Sequence, residues 1–124
     1  MNNQQWQERK SKAFARGMGN LFPVFAARAR NAEIWDVEGK RYIDFGAGIA
    51  VVNTGHSHPR VVEALKTQLD AFSHTCIMVT PYASSVELAE RLCAIAPIRD
   101  ARAMFVSTGA EAVENAIKIA RAAT

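Results

Sequence analysis

Apolar positions recur along this chain at two different spacings, and the places where the spacing changes mark out its elements. Val61, Val62, Leu65, Leu69 and Phe72 lie on one stripe of a helix that Pro59 suits at its first position. Val86, Ala89, Leu92, Cys93 and Ala96 form a second stripe, opened by the capping-box pattern Ser84-x-x-Glu87 and ended by Pro97. Near the end, Met104-Phe105-Val106 is apolar without alternation, then come Ser107-Thr108-Gly109-Ala110, then Val113, Ile117 and Ala120 at helical spacing. That order predicts a buried strand turning sharply into a helix. Earlier, Val24-Phe25-Ala26, Glu33-Ile34-Trp35-Asp36 and Arg41-Tyr42-Ile43-Asp44-Phe45 are β-prone, and Gly39 supplies a turn, so residues 25 to 45 read as an antiparallel meander with a hairpin. Residues 3 to 16 are polar with Trp6, Ala13 and Phe14 at roughly helical spacing, which predicts a short amphipathic helix broken by Gly17 and Gly19. Ser73 to Tyr82 reads as a loop.

Two features make the pattern incomplete as a fold. The buried strand has no parallel neighbour in the chain, and the last helix is still periodic at Thr124 without a stop signal, so a longer parent chain is expected. The helix stripes lack a sheet to cover them, and marginal stability or aggregation is expected of the 124 residues alone.

Composition narrows the class. With 49% hydrophobic and 22% charged residues the chain suits a globular protein, and its net charge of +3 comes from scattered basic residues, which excludes a nucleic-acid footprint. The opening Met1-Asn2-Asn3-Gln4-Gln5 lacks the apolar core of a secretory signal and no segment reaches a membrane-spanning length, so a cytoplasmic location is expected, with neither membrane nor nucleic acid as partner. Cys76 and Cys93, far apart in apolar surroundings, read as reduced, partly buried thiols.

The candidate chemistry concentrates at the strand-to-helix turn. The first amides of a helix lack intrahelical partners and carry partial positive charge, so Gly109 and Ala110 can hold an anion such as a phosphate. Thr108-Gly109-Ala110-Glu111 equally satisfies the capping box, in which side chains take those donors and no ligand is needed. The small-residue segment Gly46 to Gly55 is open to two readings, close backbone packing or the wall of a ligand pocket. His56-Ser57-His58 has no carboxylate or thiol close in sequence; loop or capping roles rank far ahead of metal, and no metal site is expected.

These residues, taken together, resemble the amino-terminal part of class III pyridoxal-phosphate-dependent aminotransferases, most of all the 4-aminobutyrate branch. The resemblance is carried by Ile34-Trp35-Asp36-Val37-Glu38-Gly39-Lys40-Arg41-Tyr42-Ile43-Asp44-Phe45, by Gly48-Ile49-Ala50-Val51-Val52-Asn53-Thr54-Gly55-His56, by His58-Pro59 and Ser73-His74-Thr75-Cys76, and by Ser107-Thr108-Gly109-Ala110-Glu111 through Ala116. It implies an α/β fold of the fold-type-I class, with residues 1–58 as the amino-terminal helix and meander of the small domain and 59–124 as the incomplete start of the large cofactor-binding domain. It implies pyridoxal 5'-phosphate as cofactor, bound through Thr108, Gly109 and Ala110, the last standing where some relatives carry serine. Ile49 and Met78 match substrate-facing positions, glutamine being an alternative at the second. The implied reaction moves an amino group from 4-aminobutyrate or a similar ω-amino acid to 2-oxoglutarate, with homodimers as the working form. Acetylornithine or ornithine as donor, and a non-catalytic remnant with only a phosphate-binding turn, are the alternatives. The family's reacting lysine, its aspartate partner to the cofactor ring and its carboxylate-binding arginine have no counterpart here, Lys118 being a structural lysine of the motif. No catalytic residue is therefore expected within the chain, and no transaminase activity from it alone.

Overall fold

A buried carboxylate explains how the first strands come together. The computed structural model describes residues 1–124, which fall into two units, Met1–Ser73 and His74–Thr124. In the first unit β1 (Ala26–Arg30), β2 (Glu33–Asp36) and β3 (Arg41–Ile43) form an antiparallel sheet in the order β1-β2-β3. Asp36, only 3% exposed, closes the β2–β3 hairpin. Its Oδ1 accepts the amides of Glu38 and Lys40, each at 2.9 Å, while Oδ2 accepts the Tyr42 hydroxyl and the Asn3 side-chain amide, each at 3.0 Å. Gly39 takes φ 81° in the turn, a conformation glycine adopts without a Cβ penalty. The meander predicted from the β-prone runs is present, with β1 beginning at Ala26 and a register shift between Ala26 and Arg28.

The amino-terminal helix α1 (Asn3–Ala13) stops before Arg16. Asn2 and Gln5 cap it reciprocally, and Asn3 ties it to the sheet, its Oδ1 accepting the Phe25 amide at 2.8 Å. Trp6 stacks on Phe25 with ring centroids 6.2 Å apart. After β3 the small-residue segment makes a four-residue helical turn, α2 (Ala47–Ala50), and α3 (Pro59–Ala71) follows with proline in its first turn, as the stripe of Val61, Leu65 and Leu69 predicts.

The second unit holds α4 (Ala83–Ile95) and α5 (Gly109–Ala123). Three expectations are corrected in it. The helix expected to be capped by Ser84 is capped from Tyr82 without a side-chain bond; Ser84 lies inside the first turn, and it is Ser85 that donates to the Tyr82 carbonyl, at 2.7 Å. The strand expected at Met104-Phe105-Val106 does not form, and all three side chains are exposed. A strand exists only through ladder bonds to a neighbour, and the unit contains no second strand to provide them. Cys76 is exposed rather than partly buried, Cys93 is half-buried, and both are free thiols. No hydrophobic side chain is buried in either unit: Leu65 on α3 is 58% exposed and Ile117 on α5 is 54% exposed. No helix is long and apolar enough to cross a membrane.

Candidate phosphate-binding turn

The start of α5 separates the two roles that its sequence left entangled. Thr108 is the extended N-cap residue, and its Oγ1 accepts the Glu111 amide at 3.1 Å. The Glu111 carboxylate reaches back, its Oε2 accepting the amides of Ser107 at 2.8 Å and Thr108 at 3.0 Å. The Ala112 amide closes the first helical bond on the Thr108 carbonyl at 3.1 Å. Every backbone amide from Ser107 to Ala112 is thus engaged except those of Gly109 and Ala110, the first two helical amides, which make no hydrogen bond. Capping and anion binding are therefore compatible in one turn, because they draw on different amides.

The remaining groups suit a phosphate. Two free amides sit at the positive end of a fifteen-residue helix, and the Thr108 hydroxyl keeps its proton available for donation. A Cβ built on Gly109 would meet nothing within 4 Å, so the approach to the amides is open. The one carboxylate beside the turn, Glu111, is already paired to two amides. Lys118 is held on the polar side of α5 by Glu114 at 2.8 Å.

Thr108, Gly109 and Ala110 are contiguous in the second unit, which also carries Met78. Met78 is 92% exposed in a turn closed by the Val79 and Thr80 amides on the Cys76 carbonyl, at 2.8 and 3.0 Å. Ile49 belongs to the first unit and is 96% exposed. It lies in α2, whose Ala47, Gly48, Ile49 and Ala50 all have positive φ, between 44° and 63°. Three of these carry a Cβ, so the left-handed turn costs about 3–6 kcal/mol at 1–2 kcal/mol per residue, and something outside it must hold it.

That support was missed in the sequence. His56, which has no carboxylate close by in the chain, meets one in space: its Nε2 lies 2.6 Å from Asp44 Oδ2, with both side chains largely buried. The hydrogen bond from His56, joined by those of the Ala47 and Gly46 amides, outweighs burial and holds the Asp44 carboxyl below its ordinary range. The only available signal was placement, since Asp44 and His56 bracket the small-residue run. His58 occupies the N-cap position of α3 without a side-chain capping bond, and its Nδ1 is buried without a partner.

The profile of the family described as Aminotransferase class-III matches residues 13–124. The chain belongs to the class-III aminotransferases. It is 51% identical over 123 residues to the 4-aminobutyrate aminotransferase GabT of Escherichia coli strain K12, covering 98% of this chain and 29% of that protein. Against the 5-aminovalerate aminotransferase DavT of Pseudomonas aeruginosa the identity is 50%, with the same coverage. Among solved structures, the acetylornithine aminotransferase from Elizabethkingia anophelis superposes with a TM-score of 0.86 at 33% identity, over 98% of this chain and 30% of that one. The ornithine aminotransferase of Plasmodium yoelii gives the same TM-score at 26% identity, over 98% of this chain and 31% of that one. The α/β aminotransferase fold expected from the sequence is shown by these matches, and the chain spans about 29% of the length of the curated relatives it matches.

Proposed function

We propose that this chain supplies the amino-terminal part of a pyridoxal-phosphate-dependent aminotransferase, in which Thr108, Gly109 and Ala110 hold the cofactor phosphate. The observation that carries the reading is the pair of unpartnered amides at Gly109 and Ala110 beside a cap that already satisfies its other donors. When bound, pyridoxal phosphate supplies an electron sink for the carbon that exchanges its amino group. The chain's own part is to bind and orient: two amides and a hydroxyl fix the phosphate, and the Glu111 carboxylate keeps the Ser107 and Thr108 amides in register for the turn.

The donor best supported is 4-aminobutyrate or a similar ω-amino acid, with 2-oxoglutarate as acceptor. The relatives bearing 4-aminobutyrate and 5-aminovalerate names reach 51% and 50% identity, against 33% for the acetylornithine enzyme. Ile49 and Met78 are each almost fully exposed, so neither side chain is committed to packing within its own unit. In the whole enzyme residues 1–58 would belong to the small domain and 59–124 would open the large one, within a cytoplasmic homodimer.

The test joins this chain to the remainder of the E. coli relative and measures amino transfer from 4-aminobutyrate to 2-oxoglutarate. Transfer is expected from the joined enzyme and none from the 124 residues alone. Treating the isolated chain with pyridoxal phosphate and borohydride should fix the cofactor to no single lysine; stoichiometric labelling at one lysine would overturn the assignment of an incomplete site.

A further inference from the structure

The segment between Asp44 and His56 is closed at its base by three separate contacts. Asp44 Oδ2 accepts His56 Nε2–H at 2.6 Å, while its Oδ1 accepts the amides of Gly46 and Ala47, each at 2.9 Å. His56 exchanges both backbone hydrogen bonds with Asn31, at 2.9 and 2.8 Å, which pins the far end of the segment to the β1–β2 turn. Gly55, at φ 86°, lies so close to that turn that a Cβ would stand 3.1 Å from the Asn31 Cα. Beyond this neck the hydrogen bonds are the segment's own: Ile49 N–H to the Gly46 carbonyl, Val51 N–H to that of Ala47, Gly55 N–H to that of Val52. The hydrogen bonds that fix the left-handed turn from outside therefore all run through Asp44 and His56.

We propose that Asp44 and His56 are positioning residues that hold Ile49 in place for the aliphatic chain of an ω-amino acid donor, a role that rests on the reading of Ile49 given above. Asp44 acts at both ends of the turn, one oxygen aligning the first amides of α2 and the other gripping His56. L-residues leave left-handed backbone readily. Opening the neck therefore releases the turn, and Ile49 moves with it.

Hydrogen exchange read by mass spectrometry on the chain joined to the remainder of the E. coli relative, where the apolar faces are covered, tests the neck without any need for activity. The hydrogen-bonded amides of the segment, those of residues 46, 47, 49–52 and 55, should be protected in the unaltered protein and exchange about tenfold faster in His56→Ala and in Asp44→Ala. They should regain protection in His56→Gln, whose amide can still donate to Asp44. Exchange in β2 and β3 should not change. Lack of protection in the unaltered loop, equal exchange in His56→Ala, or acceleration spread through the sheet would each overturn the proposal. In the enzyme joined to the remainder of the E. coli relative, His56→Ala should raise KM for 4-aminobutyrate about tenfold with kcat within about twofold, and His56→Gln should restore it; a fall in kcat alone contradicts positioning. If the unaltered joined enzyme transfers no amino group, the proposed function fails, and the exchange data decide the neck by themselves.

Discussion

Thr108 and Glu111 each spend a side chain on the other's backbone, and that reciprocity leaves the two amides between them free. The box was legible from Thr108-x-x-Glu111, whereas the freedom of Gly109 and Ala110 was not, because sequence spacing does not say which donors a cap consumes. Thr108→Ala removes the acceptor for the Glu111 amide and should lower stability of the α5 start by about 1 kcal/mol, read as lost helicity by circular dichroism. Gly55 offers a contrasting case. Its left-handed φ and 3.1 Å approach to Asn31 mean that Gly55→Ala meets both backbone strain and a clash with main-chain atoms. That variant should lose protection of the loop amides in hydrogen exchange, while Gly39→Ala, with open space around it, should perturb only the hairpin turn.

At the scale of elements, what could be read in advance followed local rules. Pro59 and the Val61-Leu65-Leu69 stripe define α3, and Val113 with Ile117 defines the apolar side of α5, because helix periodicity and capping are properties of neighbouring residues. The strand at Met104-Phe105-Val106 was not obtained because a strand is a property of two segments, and only one is present. Ser84 misled for a subtler reason: an S-x-x-E pattern shifted by two residues from the true cap looks identical in sequence, and Ser85, not Ser84, bonds back to Tyr82. The Asp44–His56 neck was invisible because its partners are joined through β3 and the β1–β2 turn rather than by spacing. On α5 the exposed Glu114–Lys118 pair, at 2.8 Å, is worth about 0.3–0.5 kcal/mol, so Lys118→Ala should leave helicity almost unchanged.

For the molecule as a whole, the polar contacts are better finished than the apolar ones. Burial pushes the Asp36 carboxyl up, but hydrogen bonds from Asn3, Lys40, Tyr42 and Glu38 together bring it below its ordinary 3.8, and Asp44 is lowered chiefly by His56. Stability from these carboxylates is present above pH 3.8 and is lost as pH falls through their lower folded values. Tyr42 is raised above 10.0 by burial and by Asp36, so its contribution holds below pH 10.0 and is lost as the pH climbs through the raised value. Near-ultraviolet circular dichroism of the first unit should show a plateau between these limits, and Asp36→Asn and Asp44→Asn should each flatten the acid limb. The apolar side chains, by contrast, remain uncovered: burying a leucine or isoleucine such as Leu65, Leu69 or Ile117 is worth about 1.5–3 kcal/mol, on the scale of a whole domain's 5–15 kcal/mol net stability. The isolated chain should therefore melt without a sharp cooperative transition, and joining it to the remainder of a relative should produce one, as differential scanning calorimetry would record.

Gly109 offers the most direct measurement of the phosphate assignment. Its amide has no partner, Thr108 before it is extended as a residue preceding proline prefers, and proline is favoured at the first helical position, so Gly109→Pro keeps the helix and deletes one donor. In the enzyme joined to the remainder of the E. coli relative, the dissociation constant for pyridoxal phosphate, measured by absorbance titration, should rise about 10- to 100-fold, the range for a lost hydrogen bond to a charged group, with helicity unchanged. Unaltered cofactor affinity in a folded Gly109→Pro variant would contradict the claim that this turn holds the phosphate.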